Sequence, residues 1–259
     1  MLEPQLVKAP KLRSPRQVAS ELDIPKDVTS AIVILSGGMD SAVTLAYAID
    51  LLGKENVIAL TFDYGQRHFK EMEAAKALAK HYGVHHIISR IDLRQIGGSA
   101  LTDDLAVPDF KADEEAGKLR GVALTYVPMR NTIFIAMAAA YAEVHGCEHI
   151  YIGVNYIDSG GYPDCRPEFL DAINKAIFRG SRDKPGISGP LVRMTKAEIV
   201  KAGQNYGVPW EKTWSCYEGL DMPCGKCNAC VQRAKGFAEA GVIDPLAIQK
   251  HTGQEEVQS

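Results

Sequence analysis

The sequence predicts an α/β fold with a doubly wound, mostly parallel sheet of Rossmann-like type and a small C-terminal helical segment that binds a metal. Two observations predict the sheet. Short runs of branched apolar residues alternate with stretches of helical period, and the polar and glycine-rich turns fall just after the apolar runs, where such folds gather ligands. A third observation sets the C-terminal segment apart, because four of the six cysteines fall within fifteen residues there.

Residues 1–28 are polar, carry four prolines and show no sustained period, so they are expected to form a flexible extension. Residues 29–190 read as the α/β domain and 191–259 as the helical metal segment. The first strand is Ala31-Ile32-Val33-Ile34-Leu35; Ala42, Leu45, Ile49 and Leu52 then mark one stripe of a helix. Asn56 to Asp63 reads as a second strand, followed by a helix with Met72, Ala75, Leu78, Ala79 and Tyr82 on one face, and His85 to Ile91 as a third strand. Residues 93–125 lack a clear period and are expected to form a mobile loop able to close over a ligand. Asn131 to Tyr141 is nearly all apolar and should be a buried helix; Glu148 to Val154 is a fourth strand, and a helix runs from about Arg166 to Phe178. Thr195 with Glu198 three residues on is a capping box that opens a further helix.

At 259 residues the chain can bury a full core. Its net charge of −3, with both signs interspersed, argues against an extended polyanion-binding surface. The longest apolar run, Ile133 to Ala142, is too short to span a bilayer, and no apolar signal region follows the basic N-terminal residues. A cytoplasmic protein is expected, with neither membrane nor stable nucleic-acid partner.

Between the first strand and first helix lies Ser36-Gly37-Gly38-Met39-Asp40-Ser41. The two glycines permit close backbone approach to a ligand, and the helix N-terminus presents unpaired N–H groups, so this loop is a phosphate site. An ordinary turn capped by Asp40 or Ser41 is the alternative, but a cap needs fewer glycines and hydroxyls than are present. The Gly-Lys-Ser/Thr ending of a Walker loop is missing, as is dinucleotide-fingerprint spacing.

Cys216-x7-Cys224-x2-Cys227-x2-Cys230 offers four soft ligands whose short steps can return to one ion. Tetrahedral structural zinc fits best, ahead of disulfides, an iron–sulfur cluster or simple burial. With four protein ligands the metal has no open position and folds its segment. Cys147 and Cys165 stand apart as small apolar residues.

Polar constellations recur at the predicted strand ends. Arg130 and Asn131 precede the apolar helix, where Arg130 suits an anionic ligand and Asn131 could be a cap. The stretch Gly153 to Arg166 mixes amides, carboxylates, aromatics and a guanidinium, the mixture a planar heterocycle requires; within it Asp164 could instead cap a helix. Asp63 ends the second strand and could meet ribose, adenine or magnesium.

The loop S-G-G-x-D-S resembles the pyrophosphate loop of the N-type ATP pyrophosphatases. Together with Asp63-Tyr64-Gly65-Gln66-Arg67-His68, Val127-Pro128-Met129-Arg130-Asn131, Gly161-Tyr162-Pro163-Asp164-Cys165-Arg166 and the cysteine spacing, it resembles the 7-cyano-7-deazaguanine synthase family from about Ala31 to Pro245. That resemblance implies an adenine nucleotide alpha hydrolase type of fold and an ATP-dependent carbon–nitrogen ligase acting in queuosine biosynthesis. It would convert 7-carboxy-7-deazaguanine and ammonia to the nitrile through adenylated intermediates. ATP would be bound by Leu35, Ser36, Gly37, Gly38, Met39, Asp40, Ser41, Ala42, Val43, Thr44, Leu45 and Asp63, with Ser36, Asp40 and Ser41 catalytic. The substrate would be read by Arg130, Asn155, Asp158, Asp164 and Arg166. Zn²⁺ on Cys216, Cys224, Cys227 and Cys230, Mg²⁺ with ATP and a homodimer complete the expectation. Two other readings are a tRNA-modifying relative, performing thiolation or lysidine synthesis, and a non-catalytic nucleotide-binding zinc module. The first lacks a basic tRNA surface and spare reactive cysteines.

Overall fold

The computed structural model describes residues 28–66, 69–110, 122–156, 162–218 and 221–247. Five strands form one sheet: β1 (Ala31–Ile34), β2 (Val57–Asp63), β3 (His85–Arg90), β4 (His149–Ile152) and β5 (Gly186–Ser188). Their order is β3-β2-β1-β4-β5 and every pair is parallel, with Ala31 opposite both Val57 and His149. The predicted α/β class is therefore borne out. The chain winds outward from β1 to β3, then returns to the other side of β1, so the switch point lies between β1 and β4.

Alternate residues of the central strands feed two cores. Val33 and Tyr151 pack under α1 (Met39–Leu52) and α2 (Lys70–Tyr82), whereas Ile32, Ile34, Ile150 and Ile152 face α3 (Arg130–His145) and α4 (Pro167–Gly180). The four-residue stretches of β1 and β4 are wholly buried, which explains their continuous apolar reading. β5 escaped prediction because Gly-Ile-Ser is too short to show a period.

The segment after Leu191 joins the first core. α5 (Lys196–Asn205) contributes Ile199 and Val200, α6 (Asn228–Ala240) contributes Phe237, and Trp210 packs edge-on against Phe237 at 5.2 Å. Gly203 is required there, because a β-carbon would lie 2.3 Å from the Trp210 ring. The predicted capping box is present, with Thr195 Oγ1 accepting from Glu198 N and Glu198 Oε2 accepting from Thr195 N at 2.8 Å. No helix among the described residues is long and apolar enough to cross a membrane.

Buried His149 bridges β4 and β5 by its Nε2 hydrogen bond to Ser188 Oγ at 2.9 Å. Burial pulls its pKa from 6.5 down to about 4. The unfolded chain therefore binds the extra proton first, so folding stability is complete above pH 6.5 and falls as pH drops towards 4. The full loss is on the order of 3 kcal/mol. Melting temperature measured from pH 7 to pH 4 should fall, and His149→Gln should flatten that slope.

Candidate active site

Tying the glycine loop down begins below it. Leu35 N donates to Leu60 O at 2.8 Å and Thr61 Oγ1 donates to Leu35 O at 2.7 Å, which fixes the loop to the end of β2. Ser36 and Ser41 close the loop on itself: Ser36 N donates to Ser41 Oγ at 3.2 Å, and the two hydroxyls lie 3.1 Å apart. Gly38 occupies the N-cap of α1 and no side chain caps the helix. The capped-turn alternative thus falls away, leaving the first N–H groups of α1 and their positive dipole end for an anion. Gly37 adopts φ +91°, and a β-carbon there would meet Glu71 O of α2 at 2.3 Å.

On the other side, Gly153 follows β4. Its hypothetical β-carbon would lie 2.9 Å from Ser41 N and Cα, so only glycine lets α1 and the strand end meet. The result is a cleft of about 240 Å³ at the carboxyl ends of β1 and β4. Leu35, Ser36, Gly38, Met39, Asp40 and Ser41 line it. Gly37 faces α2 instead, and Ala42, Val43, Thr44 and Leu45 are buried in the core beneath the loop.

Asp40 Oδ2 pairs with Lys196 Nζ of α5 at 2.6 Å, with both side chains largely enclosed. Its other oxygen, Oδ1, is buried and has no hydrogen-bond partner among the described residues. A carboxylate so divided holds one cation and retains an oxygen for a second, which suits a hard divalent ion.

The opposite wall is aromatic and cationic. Met129 takes a left-handed conformation at φ 57° and caps α3, turning the following Arg130 into the cleft. Arg130 Nη1 donates to Tyr64 Oη at 3.3 Å, and its guanidinium sits 5.8 Å from the Tyr64 ring centre. Burial would lower the guanidinium's pKa, but the surrounding phenols of Tyr64, Tyr217 and Tyr162, with Glu71, outweigh it and hold it above the ordinary value. Burial likewise pushes the Glu71 carboxyl up to about 7, while Arg130 pulls it down and Cys216 adds to the rise.

The remaining predicted residues separate. Asn155 lines the cleft, yet its Nδ2 is committed to Leu191 O and Met194 O, which holds the 191–194 turn in place. Asp164 is not among the cleft residues and does not cap the helix that follows it. Its buried carboxylate accepts from Asn131 N at 3.1 Å at the start of α3, and its backbone oxygen accepts from Asn131 Nδ2. Asn131 is accordingly inside α3, with Met129 at the cap position. Arg166 is exposed at the N-cap of α4, outside the cleft. Asp63 lines a neighbouring hollow and lies 3.7 Å from Arg90. Asp158 lies outside the described residues.

The four cysteines converge as their spacing predicts. The sulfurs of Cys216, Cys224, Cys227 and Cys230 all lie within 4.8 Å of one another, a set able to hold one metal ion. The sulfurs compete for charge: hydrogen bonds from the neighbouring thiols, and then from N–H groups, hold Cys216 well below the thiol range, while the neighbouring thiols and burial push Cys227 and Cys230 above it. A dication would let all four ionise. Cys147 and Cys165 are buried and unbridged, and burial pushes Cys165 up to about 12, as expected of an inert thiol.

Residues 30–241 match the family model of queuosine biosynthesis protein QueC. The chain is 52% identical over 227 residues to the 7-cyano-7-deazaguanine synthase of Thermoplasma acidophilum, covering 85% of this chain and 92% of the relative. The chain belongs to the QueC family. Synthases of the same name from Thermoplasma volcanium and Trichodesmium erythraeum are 49% and 46% identical, over 85% and 83% of this chain and 91% and 99% of theirs. Two solved structures are more distant, an NMN synthetase from Francisella tularensis (16% identity, TM-score 0.45, 95% of this chain and 89% of that one) and a U34-tRNA thiolase from Methanococcus maripaludis (15%, 0.47, 94% and 78%). At that distance neither bears on the chemistry.

In this QueC-family chain several cleft residues gave no readable signal in sequence. Glu71 sits in a helix first turn, where an acid is ordinary, and Lys196 hides inside a capping box. Trp214, Ser215, Tyr217, Asn228 and Gln232 reach the cleft only because the metal segment folds across the loop, with Trp214 N donating to Gly37 O at 2.9 Å. Gly153→Ala should cost about 1–3 kcal/mol through overpacking against the backbone of Ser41. Urea unfolding of the variant beside wild type measures this, and an unchanged midpoint would refute the close approach.

Proposed function

We propose that the chain is an ATP-dependent ligase that converts 7-carboxy-7-deazaguanine and ammonia to 7-cyano-7-deazaguanine, releasing AMP and pyrophosphate, in queuosine biosynthesis. The observation that carries the reading is one cleft with an uncapped helix N-terminus at one wall and a half-buried, tyrosine-ringed Arg130 at the other. The name shared by the relatives supports the product.

The chemistry suits these groups. A carboxylate is a poor electrophile, so its oxygen first attacks the α-phosphorus of ATP and expels pyrophosphate. Ammonia then displaces AMP, giving the amide. A second adenylation on the amide oxygen lets AMP leave with that oxygen as the nitrile forms and the nitrogen gives up its protons. The N–H groups at the start of α1, with Ser36 and Ser41, hold the departing pyrophosphate, and Lys196 keeps Asp40 fixed beside it. Arg130 meets the substrate carboxylate in a pocket walled by Tyr64, Tyr162 and Phe134, which excludes the water that would hydrolyse an acyl adenylate. Mg²⁺ bound with ATP supplies charge neutralisation at the phosphates, and the unpartnered Asp40 Oδ1 is the oxygen suited to hold it. In the same reading the enzyme is a cytoplasmic homodimer, and one Zn²⁺ per chain on the four cysteines fixes the wall that crosses the loop.

Incubating the protein with the carboxylate, ATP, Mg²⁺ and an ammonium salt should yield AMP and the nitrile, both dependent on the carboxylate. Asp40→Asn should lower kcat by about 10²–10³, and Arg130→Ala should chiefly raise KM for the carboxylate. AMP release that does not need the carboxylate would sink the proposal. For the metal, elemental analysis should find one zinc per chain. Cys227→Ser should lose it and melt at lower temperature, whereas the visible absorbance of an iron–sulfur cluster would overturn the zinc assignment.

A further inference from the structure

The cleft holds more buried polar atoms than its own hydrogen bonds satisfy. Among the described residues, three that line it from the metal segment each carry a buried side-chain oxygen with no partner: Ser215 Oγ, Asn228 Oδ1 and Gln232 Oε1. Asn228 and Gln232 stand four residues apart on α6, hence on one face of the helix, one turn above the other. A buried polar atom without a partner costs about 1–3 kcal/mol, so two amides and a hydroxyl in one wall are a standing cost unless something in the cleft pairs with them. Structural roles are already filled by other residues. The sulfurs are served by N–H groups of Glu218, Cys224 and Cys227, and α6 is anchored by Phe237 in the core and by the Arg233–Asp244 ion pair at 2.7 Å.

The position of this face identifies the ligand chemistry. It lies on the segment that brings Trp214 and Tyr217 into the cleft, tied to the glycine loop by the bond from Trp214 N to Gly37 O. An occupant must therefore offer N–H donors to carbonyl oxygens while stacking on rings, as the edge of a guanine-like heterocycle does with its ring N–H and 2-amino groups. Phosphates, which only accept, would leave the carbonyls unpaired.

We propose that Asn228 and Gln232, supported by Ser215, read the N–H edge of the deazapurine, making the metal segment the specificity wall of the site. This deepens the function proposed above and rests on it. The zinc then has a positioning role, since it fixes the turn from which Asn228 and Gln232 project.

The test uses the full-length, zinc-loaded protein. Gln232→Ala should raise KM for 7-carboxy-7-deazaguanine at least tenfold, with KM for ATP and zinc content unchanged. Calorimetric binding of the carboxylate without ATP should weaken in parallel. An analogue lacking the 2-amino group should be discriminated against by wild type and much less by Gln232→Ala. Asn228→Ala, with zinc content measured, gives a second reading from the same face. An unchanged KM for the carboxylate in both variants, or a rise confined to ATP, overturns the proposal while wild-type turnover leaves the reaction assignment standing. Absence of wild-type turnover overturns both.

Discussion

The close approach of α1 to the ends of β1 and β4 is the constraint on which the rest depends. It is a contact between backbones. Gly153 lies where any β-carbon would strike Ser41, and Gly37 lies where one would strike α2. Because the helix start is held from both sides, its free N–H groups point at one spot and need not reorganise when charge arrives there, which is what makes such a site strong in a low-dielectric setting. The serine-to-serine bonding inside the loop serves the same end. Ser36 and Ser41 satisfy each other, so the loop keeps its shape by its own hydrogen bonds.

Charge in the cleft follows from that placement. An uncapped helix end is positive, and Lys196 and Arg130 add two full cations, against Asp40 and Glu71 as the carboxylates lining the same space. Lys196 answers Asp40 directly, whereas Arg130 is surrounded chiefly by phenols, which shield it from water without neutralising it. An anion entering between the loop and Arg130 therefore meets positive potential from both walls. The strain at Met129 belongs to the same arrangement: a left-handed non-glycine residue costs about 1–3 kcal/mol, and here it aims Arg130 inward.

Legibility in the sequence tracked the range of the interactions involved. The four main strands, the helices between them, the glycine loop and the cysteine set are encoded by residues close together in the chain, so period, spacing and composition revealed them. Asp164 and Asn131 show where that stops. Each carries a local signature of a cap, but thirty-three residues apart they bond each other, so Asp164 serves α3 and not the helix that follows it. Lys196 is the converse, a residue with an adequate local explanation whose partner Asp40 lies 156 positions away. Ala42 to Leu45 continue a motif past the point where it faces the ligand, because a helix entering the core turns its side chains into packing.

The cysteine segment is where local and distant reasoning diverge most. Spacing alone makes it a closed metal site, complete in itself and remote from chemistry. The fold instead lays it over the loop. Trp214 bonds Gly37, and Gly236 of α6 sits so close to Lys196 that a β-carbon would lie 2.7 Å from that side chain. Lys196 in turn holds Asp40. A shift of α6 would thus be felt at the glycine loop through two contacts, which would give a metal held by the four cysteines a mechanical route to the cleft. A closed ligand set excludes a metal from bond making, yet it does not make the metal irrelevant to where the bonds are made.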